Sequence, residues 1–200
     1  MFIAQKPNFS RDFTNWAVDQ FGQIDPIFLF GYIYSVLYSR TYRVKYNSAL
    51  RTSYPRIPIT SNKDLFKKIS LIGKELIDLH LLKNPKIHDS IAGFPEIGSD
   101  MVNLISFDSN KAIVKINETQ FFTKINQDIW DFEVGGYRIC EKWLKNRLGR
   151  TLESDDQAFF MKLVGSIKET LNLQKEIDRL YPSIEANLAT FSFDIKKNTP

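Results

Sequence analysis

The segment from Ile27 to Tyr38 constrains the fold most, because it is apolar on nearly every side and carries no charge. It follows Asp25 and Pro26, which together form a strong helix start. A carboxylate at the N-cap accepts hydrogen bonds from free amide groups, and proline suits the first helical position. A helix without a polar face needs other parts of the chain around it. We therefore predict a helix here that lies centrally in the fold.

The composition is that of a globular protein, because 43% of the 200 residues are hydrophobic. The uncharged apolar run from Pro26 to Ser39 is shorter than the ~20 residues that a membrane-spanning helix needs. The first residues do not form a secretory leader, so we expect a cytoplasmic protein with no membrane partner. Cys140 is the single cysteine. An internal disulfide is therefore excluded, and we expect no metal site.

Periodicity and capping signals predict a mostly helical chain with one β hairpin. Two strands, Met101–Phe107 and Lys111–Ile116, are joined by Asp108-Ser109-Asn110. Three further helices are predicted in the first half of the chain: a lead-in helix within residues 1–24, a basic helical segment from Thr41 to about Leu50, and a helix that opens at Ser61-Asn62-Lys63-Asp64. Two more are predicted in the second half, from Tyr137 to Leu148 and from Ser154 to about Leu180. In the first of these two, Tyr137, Cys140 and Leu144 are expected to point inward. The predicted class is α+β, predominantly helical with a small antiparallel β hairpin or sheet.

Positive charge is concentrated in two blocks. Between Pro26 and Asn62 the chain has no Asp or Glu, contains six of the eight tyrosines, and carries Arg40, Arg43, Lys45, Arg51 and Arg56. The net charge is +4, so the remainder of the chain sums to about −1. A second block holds Arg138, Lys142, Lys145, Arg147 and Arg150 against Glu141 alone. Local cationic surfaces with aromatic rings suit the phosphates of a nucleic acid. The alternative is that the tyrosines are half-buried core residues and that the bases only solvate a face.

Residue patterns for catalysis do not occur. The pair Gly73-Lys74 is followed by Glu75 inside a helical pattern, which is not a phosphate-binding loop. Asp194-Ile195-Lys196 is the only Asp-x-Lys, and Asn84-Pro85-Lys86 does not match the Asn-Pro-Pro-aromatic motif of a base-modifying methyltransferase. Neither His80 nor His88 has an evident serine or cysteine partner. These absences favour a binding function, and a small enzyme with an unrecognised site stays as an alternative.

Several strings, in chain order, resemble one known family. In the C-terminal specificity region of single-polypeptide type I-like (type ISP) restriction-modification enzymes, a pattern YIY-x-VLHSP-x-YR-x-KY … L … PRIP is characteristic. Here it corresponds to FGYIYSVLYSRTYR at 30–43 and YPRIP at 54–58. Matching strings follow, namely GKELIDLHLL at 73–82, INETQFF at 116–122, IWDFEVGGYRICEKWLKNR at 129–147 and GRTL at 149–152. The resemblance spans roughly residues 25 to 178.

The resemblance implies a DNA target-recognition domain that is not catalytic by itself. Its expected partners are double-stranded DNA and the nuclease, helicase-like and adenine-methyltransferase parts of a parent enzyme. S-adenosylmethionine, Mg²⁺ and ATP are then expected only for those upstream parts, with no cofactor in this chain. The division that follows is an N-terminal lead-in helix at 1–24, a DNA specificity domain at 25–181 (helical 25–83, β hairpin region 100–134, helical 137–181) and a C-terminal tail at 182–200.

The residue-level predictions separate backbone contacts from base reading. For phosphate contacts we nominate Arg40, Arg43, Lys45, Arg51 and Arg56, with Lys142, Lys145, Arg147 and Arg150 as a second set. For base reading we nominate Ser109, Asn110, Asn117 and Gln120 near the hairpin. Two alternatives stay open: Asn117 and Thr119 satisfy only the backbone of a turn, or the whole chain is a protein-interaction module that docks on the upstream methyltransferase part.

Overall fold

The computed structural model of the chain describes residues 8–84, 87 and 92–191. The helices in these residues are α1 (Arg11–Phe21), α2 (Pro26–Tyr38), α3 (Arg40–Lys45), α4 (Asn47–Thr52), α5 (Lys63–His80), α6 (Gln127–Trp130), α7 (Ile139–Lys145) and α8 (Ser154–Ala186). The strands are β1 (Ser106–Asp108), β2 (Ile113–Lys115), β3 (Phe121–Phe122), β4 (Glu133–Val134) and β5 (Tyr137–Arg138). The chain is an α+β protein that is mostly helical, as predicted from the sequence.

The chain divides into two compact units. The first unit takes its described residues from Met1–Ile77 and Leu173–Pro200, and the second is formed by Asp78–Asn172. The boundaries fall inside α5 and α8. The lead-in segment before residue 8, His88 and the tail from residue 192 lie outside the described residues. None of the helices that the structure describes is long and apolar enough to cross a membrane.

Helix α2 contributes one whole face to the core of the first unit. The Asp25 side chain accepts a hydrogen bond from the Ile27 amide, which confirms the predicted start. Leu29, Tyr32 and Val36 are buried with residues from α5 and α8. The opposite side of the helix is open, since Ile27 and Phe30 are exposed. The expectation that α2 is enclosed on nearly every side is therefore wrong for that side.

Two glycines allow α2 and α5 to cross at very short distance. A Cβ atom added at Gly73 would lie 1.7 Å from the carbonyl oxygen of Gly31 and 2.6 Å from the hydroxyl oxygen of Ser35. The same hydroxyl donates a hydrogen bond to the Ile69 carbonyl at 2.8 Å. The two helix backbones are thus in direct contact, and a side chain at Gly73 has no room.

The basic segment forms two short helices, where the sequence predicted a single one. Tyr46 leaves the helical conformation with φ −107° and ψ 19°, and this separates α3 from α4. Ser39 ends α2 and caps α3, because its hydroxyl accepts from the Tyr42 amide. Asp178 holds this corner by accepting from the Ser39 hydroxyl at 2.7 Å and from the Thr41 amide at 3.1 Å.

Helix α8 is longer than its sequence pattern predicted. It continues through Pro182 to Ala186, beyond the expected end near Leu180. Tyr181 and Ile184 are fully buried in the core of the first unit, so packing favours a further helical turn despite the proline. Residues 182–186 therefore belong to the helix, and not to an irregular tail.

The second unit contains the small sheet with the order β1-β2-β3, all antiparallel. Phe107 pairs with Val114, and Val114 pairs with Phe122. The first strand is shorter than predicted. Val102 donates to the Arg150 carbonyl and Met101 pairs with Thr151, while Asn103 and Leu104 both donate to the Ile116 carbonyl and so do not form a regular ladder. The core of this unit includes Val114, Phe122, Cys140, Leu144 and Phe160.

A second, two-stranded hairpin precedes α7. Gly135 and Gly136 have φ values of 61° and 81°, which suit the two central positions of a tight hairpin turn. Tyr137 and Arg138 are therefore paired in β5, and the helix begins at Ile139 rather than at Tyr137. Cys140 and Leu144 point inward as expected, whereas Tyr137 is exposed. The prediction of an inward Tyr137 is wrong because the two glycines form a turn, and Tyr137 then belongs to strand β5 and not to the helix.

Candidate nucleic-acid interface

The first basic set lies on α3, on α4 and on the segment that follows α4. Arg40, Arg43, Lys45, Arg51 and Arg56 are all exposed. Arg43 donates to the Tyr38 carbonyl at 3.3 Å, and its guanidinium lies 5.5 Å from the centre of the Tyr38 ring. Within the described part of the chain, no carboxylate forms an ion pair with any of the four arginines. These four positive charges are therefore open to solvent.

Lys45 differs from the arginines because Glu185 binds it. Its ammonium donates to both carboxylate oxygens of Glu185 at 2.7 Å. This hydrogen bond raises the pKa of Lys45 and lowers the pKa of Glu185. The same carboxylate accepts from the hydroxyls of Tyr46 and Tyr181, each at 3.2 Å. Lys45 thus has an acidic partner already, and it is the least available base of the first set.

Two buried tyrosines fix the segment after α4. The hydroxyl of Tyr42 donates to the Arg56 carbonyl at 3.0 Å, and the hydroxyl of Tyr32 donates to the Pro58 carbonyl at 2.9 Å. The Tyr32 hydroxyl also accepts from the Thr60 amide at 3.1 Å. Burial is the main cause that raises the pKa of both tyrosines, so both hydroxyls stay protonated and remain donors. The backbone at Arg56 and Pro58 is therefore held by hydrogen bonds from the core.

A groove of about 640 Å³ lies between α4 and this segment. The rings of Tyr46 and Tyr54 line it, together with Arg56 and the two prolines of the segment. Tyr54 is 94% exposed. Among the described residues that line the groove, none is an Asp or Glu. The groove thus combines aromatic faces with a positive charge and has no negative charge on its walls.

In the second basic set, which lies in the other unit, two of the four bases form ion pairs. Lys145 pairs with Glu141 at 2.6 Å, and Arg147 pairs with Asp156 at 3.0 Å. The Lys142 ammonium lies 3.6 Å from the centre of the Tyr137 ring. Arg150 is exposed and has no acidic partner in the described residues. Lys142 and Arg150 are therefore the exposed bases of this set that have no acidic partner in the described residues.

The four base-reading candidates fall into two groups. Ser109 and Asn110 are exposed at the turn between β1 and β2. Asn117 and Gln120 are buried: Asn117 accepts from the Thr119 and Gln120 amides and donates to the Met101 carbonyl. Gln120 accepts from the Asp100 amide at 2.7 Å and donates to the Asp100 carboxylate at 2.6 Å.

This geometry favours the alternative in which Asn117 satisfies the backbone of a turn. An amide whose donors and acceptors are all used inside the protein offers none to a base edge. We therefore retain only Ser109 and Asn110 as candidates for base reading, and their role stays a prediction.

The sequence reasoning did not single out Tyr54 and Tyr46 as site residues. A tyrosine within an acid-free basic stretch was the available signal, but most tyrosines of that stretch are core residues. Tyr32 and Tyr42 are buried, and only the three-dimensional packing separates them from Tyr54. In the described residues, no group of three or more His, Cys, Asp or Glu side chains could hold a metal ion.

These features define a small, mostly helical α+β module with a basic, aromatic-lined face. The sequence matches the model of the Type ISP C-terminal specificity domain over residues 3–169, and the chain belongs to this family. The match confirms the resemblance found in the sequence. A search of curated proteins gave no match.

Three solved structures are similar to the chain in fold. A nuclease-deletion mutant of the Type ISP restriction-modification enzyme LlaGI in complex with a DNA substrate mimic is 23% identical, with a TM-score of 0.56 over 76% of this chain and 14% of that chain. The ATP-dependent Type ISP restriction-modification enzyme LlaBIII bound to DNA is 20% identical, with a TM-score of 0.55 over 82% and 12%. The DrdV-DNA complex is 19% identical, with a TM-score of 0.60 over 84% and 19%. The chain therefore spans less than a fifth of the length of these relatives.

Proposed function

We propose that this chain recognises a short sequence in double-stranded DNA as the non-catalytic specificity domain of a restriction-modification enzyme. Its family and the DNA-bound relatives of similar fold support this proposal. The parent enzyme supplies cleavage, helicase-like movement and adenine methylation from other parts, which bind S-adenosylmethionine, Mg²⁺ and ATP. The partners of the chain are then DNA and those catalytic parts.

The observation that carries the proposal is the set of arginines without acidic partners on α3, on α4 and after α4. Arg40, Arg51 and Arg56 are exposed and form no ion pair within the described residues. A guanidinium without a carboxylate partner binds a phosphate without first breaking an internal ion pair. Lys45 contributes less, because a phosphate would have to compete with Glu185.

The test is a salt titration of binding between the 200-residue chain and a labelled duplex of random sequence. The logarithm of the binding constant is expected to fall linearly with the logarithm of the salt concentration, with a slope of about −0.9 for each phosphate contact. Arg51→Gln and Arg56→Gln should each reduce the slope by about 0.9. Lys168→Gln removes the same charge from an exposed position on α8 outside both basic sets, and it should leave the slope unchanged.

Sequence recognition has its own readout. Repeated selection from a pool of random duplexes should enrich one short sequence. Ser109→Ala or Asn110→Ala should change which sequence the chain selects, and should change the salt slope of binding less. A flat salt slope for the wild-type chain would contradict DNA binding. That result would favour the alternative of a protein-interaction module that docks on the methyltransferase part.

A further inference from the structure

Two tyrosines, Tyr54 and Tyr46, line the groove beside α4. Tyr54 is 94% exposed, and Tyr46 is held in place through its hydroxyl, which donates to Glu185 at 3.2 Å. Aromatic rings of this kind stack on the faces of nucleobases. A paired base inside a duplex offers only its edge to a protein, because its faces are covered by its neighbours. The exposed rings therefore suit a base that has left the stack.

The charge of the groove favours a nucleotide over other flat ligands. Arg56 lines the groove, and the described lining contains no carboxylate. A nucleotide brings a flat base together with a phosphate, so it satisfies the rings and the guanidinium at once. A proline-rich peptide also fits grooves lined by aromatic rings, but it has no anion to pair with Arg56.

The backbone on one side of the groove is fixed, and the space is large enough for a nucleotide. The hydroxyls of Tyr42 and Tyr32 fix the backbone at Arg56 and Pro58. A backbone that is already ordered loses less conformational entropy when a ligand binds. The groove volume of about 640 Å³ lies within the roughly 300 to 1,000 Å³ typical of small-ligand sites.

We propose that this groove binds one nucleotide of the recognised DNA whose base is out of the helical stack. Tyr54 stacks on that base, Tyr46 forms the opposite wall, and the Arg56 guanidinium binds the adjacent phosphate. This inference rests on the proposed DNA-binding function and adds to it a contact that is not electrostatic. It makes the chain a reader of an unpaired nucleotide as well as of the duplex around it.

The experiment compares the wild-type chain with Tyr54→Ala and Tyr54→Phe on three fluorescein-labelled DNAs. These are a single-stranded oligothymidine, a fully paired duplex, and the same duplex with one unpaired thymine. Tyr54→Ala should weaken binding to the two DNAs with unpaired bases by about 5- to 150-fold, the range for loss of one base–aromatic stack. Tyr54→Phe keeps the ring face and should bind as the wild type does.

The salt dependence separates this contact from the phosphate contacts. Tyr54→Ala should keep the wild-type salt slope at reduced affinity, whereas Arg56→Gln should lower the slope by about 0.9. Because Tyr54 is almost fully exposed, its replacement should leave the circular dichroism spectrum and the unfolding midpoint unchanged.

Four outcomes would overturn the inference. The first is wild-type affinity of Tyr54→Ala for all three DNAs, which would leave the proposed function standing. The second is an equal loss on the paired and the unpaired DNAs, which would show that the ring does not contact an unstacked base. The third is Tyr54-dependent binding of a proline-rich peptide that leaves the binding of the oligothymidine unchanged, which would show that the peptide, and not the nucleotide, occupies the groove. The fourth is a wild-type chain that binds none of the DNAs, and only this outcome would also refute the proposed function.

Discussion

Replacement of Gly73 by alanine tests the close crossing of α2 and α5. In an isolated helix the change would be favourable by about 0.5 to 1 kcal/mol, because glycine is a poor helix former. In this structure the new Cβ atom would lie 1.7 Å from the Gly31 carbonyl oxygen, and Cβ atoms essentially never approach other atoms within 3.0 Å. The sign of the change in stability therefore decides between helix propensity and packing.

The structure also sets the expected size of the effect. To reach 3.0 Å, the two backbones would have to separate by about 1.3 Å at this point. Insertion of a methyl group into a well-packed core costs about 1 to 3 kcal/mol. The Ser35 hydroxyl lies 2.6 Å from the new atom, so its hydrogen bond to the Ile69 carbonyl, worth about 1 kcal/mol net, is at risk as well. We expect Gly73→Ala to lower the free energy of unfolding by about 2 to 4 kcal/mol.

Urea denaturation followed by far-ultraviolet circular dichroism measures this change. Lys67→Ala is the matched control, because it introduces alanine at an exposed position of the same helix, and it should change the free energy of unfolding by less than about 0.5 kcal/mol. A Gly73→Ala variant that is as stable as the wild type, or more stable, would refute the direct backbone contact between α2 and α5.

Three further predictions concern single side chains. Gln120→Ala leaves the Asp100 amide without its acceptor in a buried network, so urea denaturation should show a loss of about 1 to 3 kcal/mol, and an unchanged midpoint would contradict the network. The hydrogen bond from Lys45 lowers the pKa of Glu185, so this stabilisation is present above the pKa of the unfolded carboxyl and is lost as the pH falls through the lower folded value. In Glu185→Gln the unfolding midpoint should therefore fall less as the pH is lowered. A pH dependence of the midpoint identical to that of the wild type would argue against the interaction. Burial raises the pKa of the Cys140 thiol to about 12, so Ellman's reagent should react only after denaturation.

The starts of α2 and α5 could be predicted because their signals are local. Asp25 and Asn62 accept hydrogen bonds from amides two or three residues ahead, and such pairs are visible in the sequence. The short strands could not be predicted in the same way. Phe121–Phe122 becomes a strand only by pairing with β2, which depends on tertiary structure.

The charged residues of the candidate site could be predicted from the sequence, but their ion-pair partners could not. The first basic stretch lacks acids in sequence, yet Glu185 reaches Lys45 from α8, 140 residues away. In the second unit, Asp156 reaches Arg147 from the start of the same helix. A sequence shows how many charges a segment carries, whereas only the fold shows which of them are already paired.

The hydrogen bonds from Tyr32 and Tyr42 to the Pro58 and Arg56 carbonyls have a consequence for variation among relatives. They hold the backbone of the segment from the core side and involve no outward side chain. Substitutions of the side chains at positions 54 and 56 should therefore leave the path of the chain unchanged. The fold thus separates the buried tyrosines, which set the path of this segment, from the outward side chains that the segment presents to solvent.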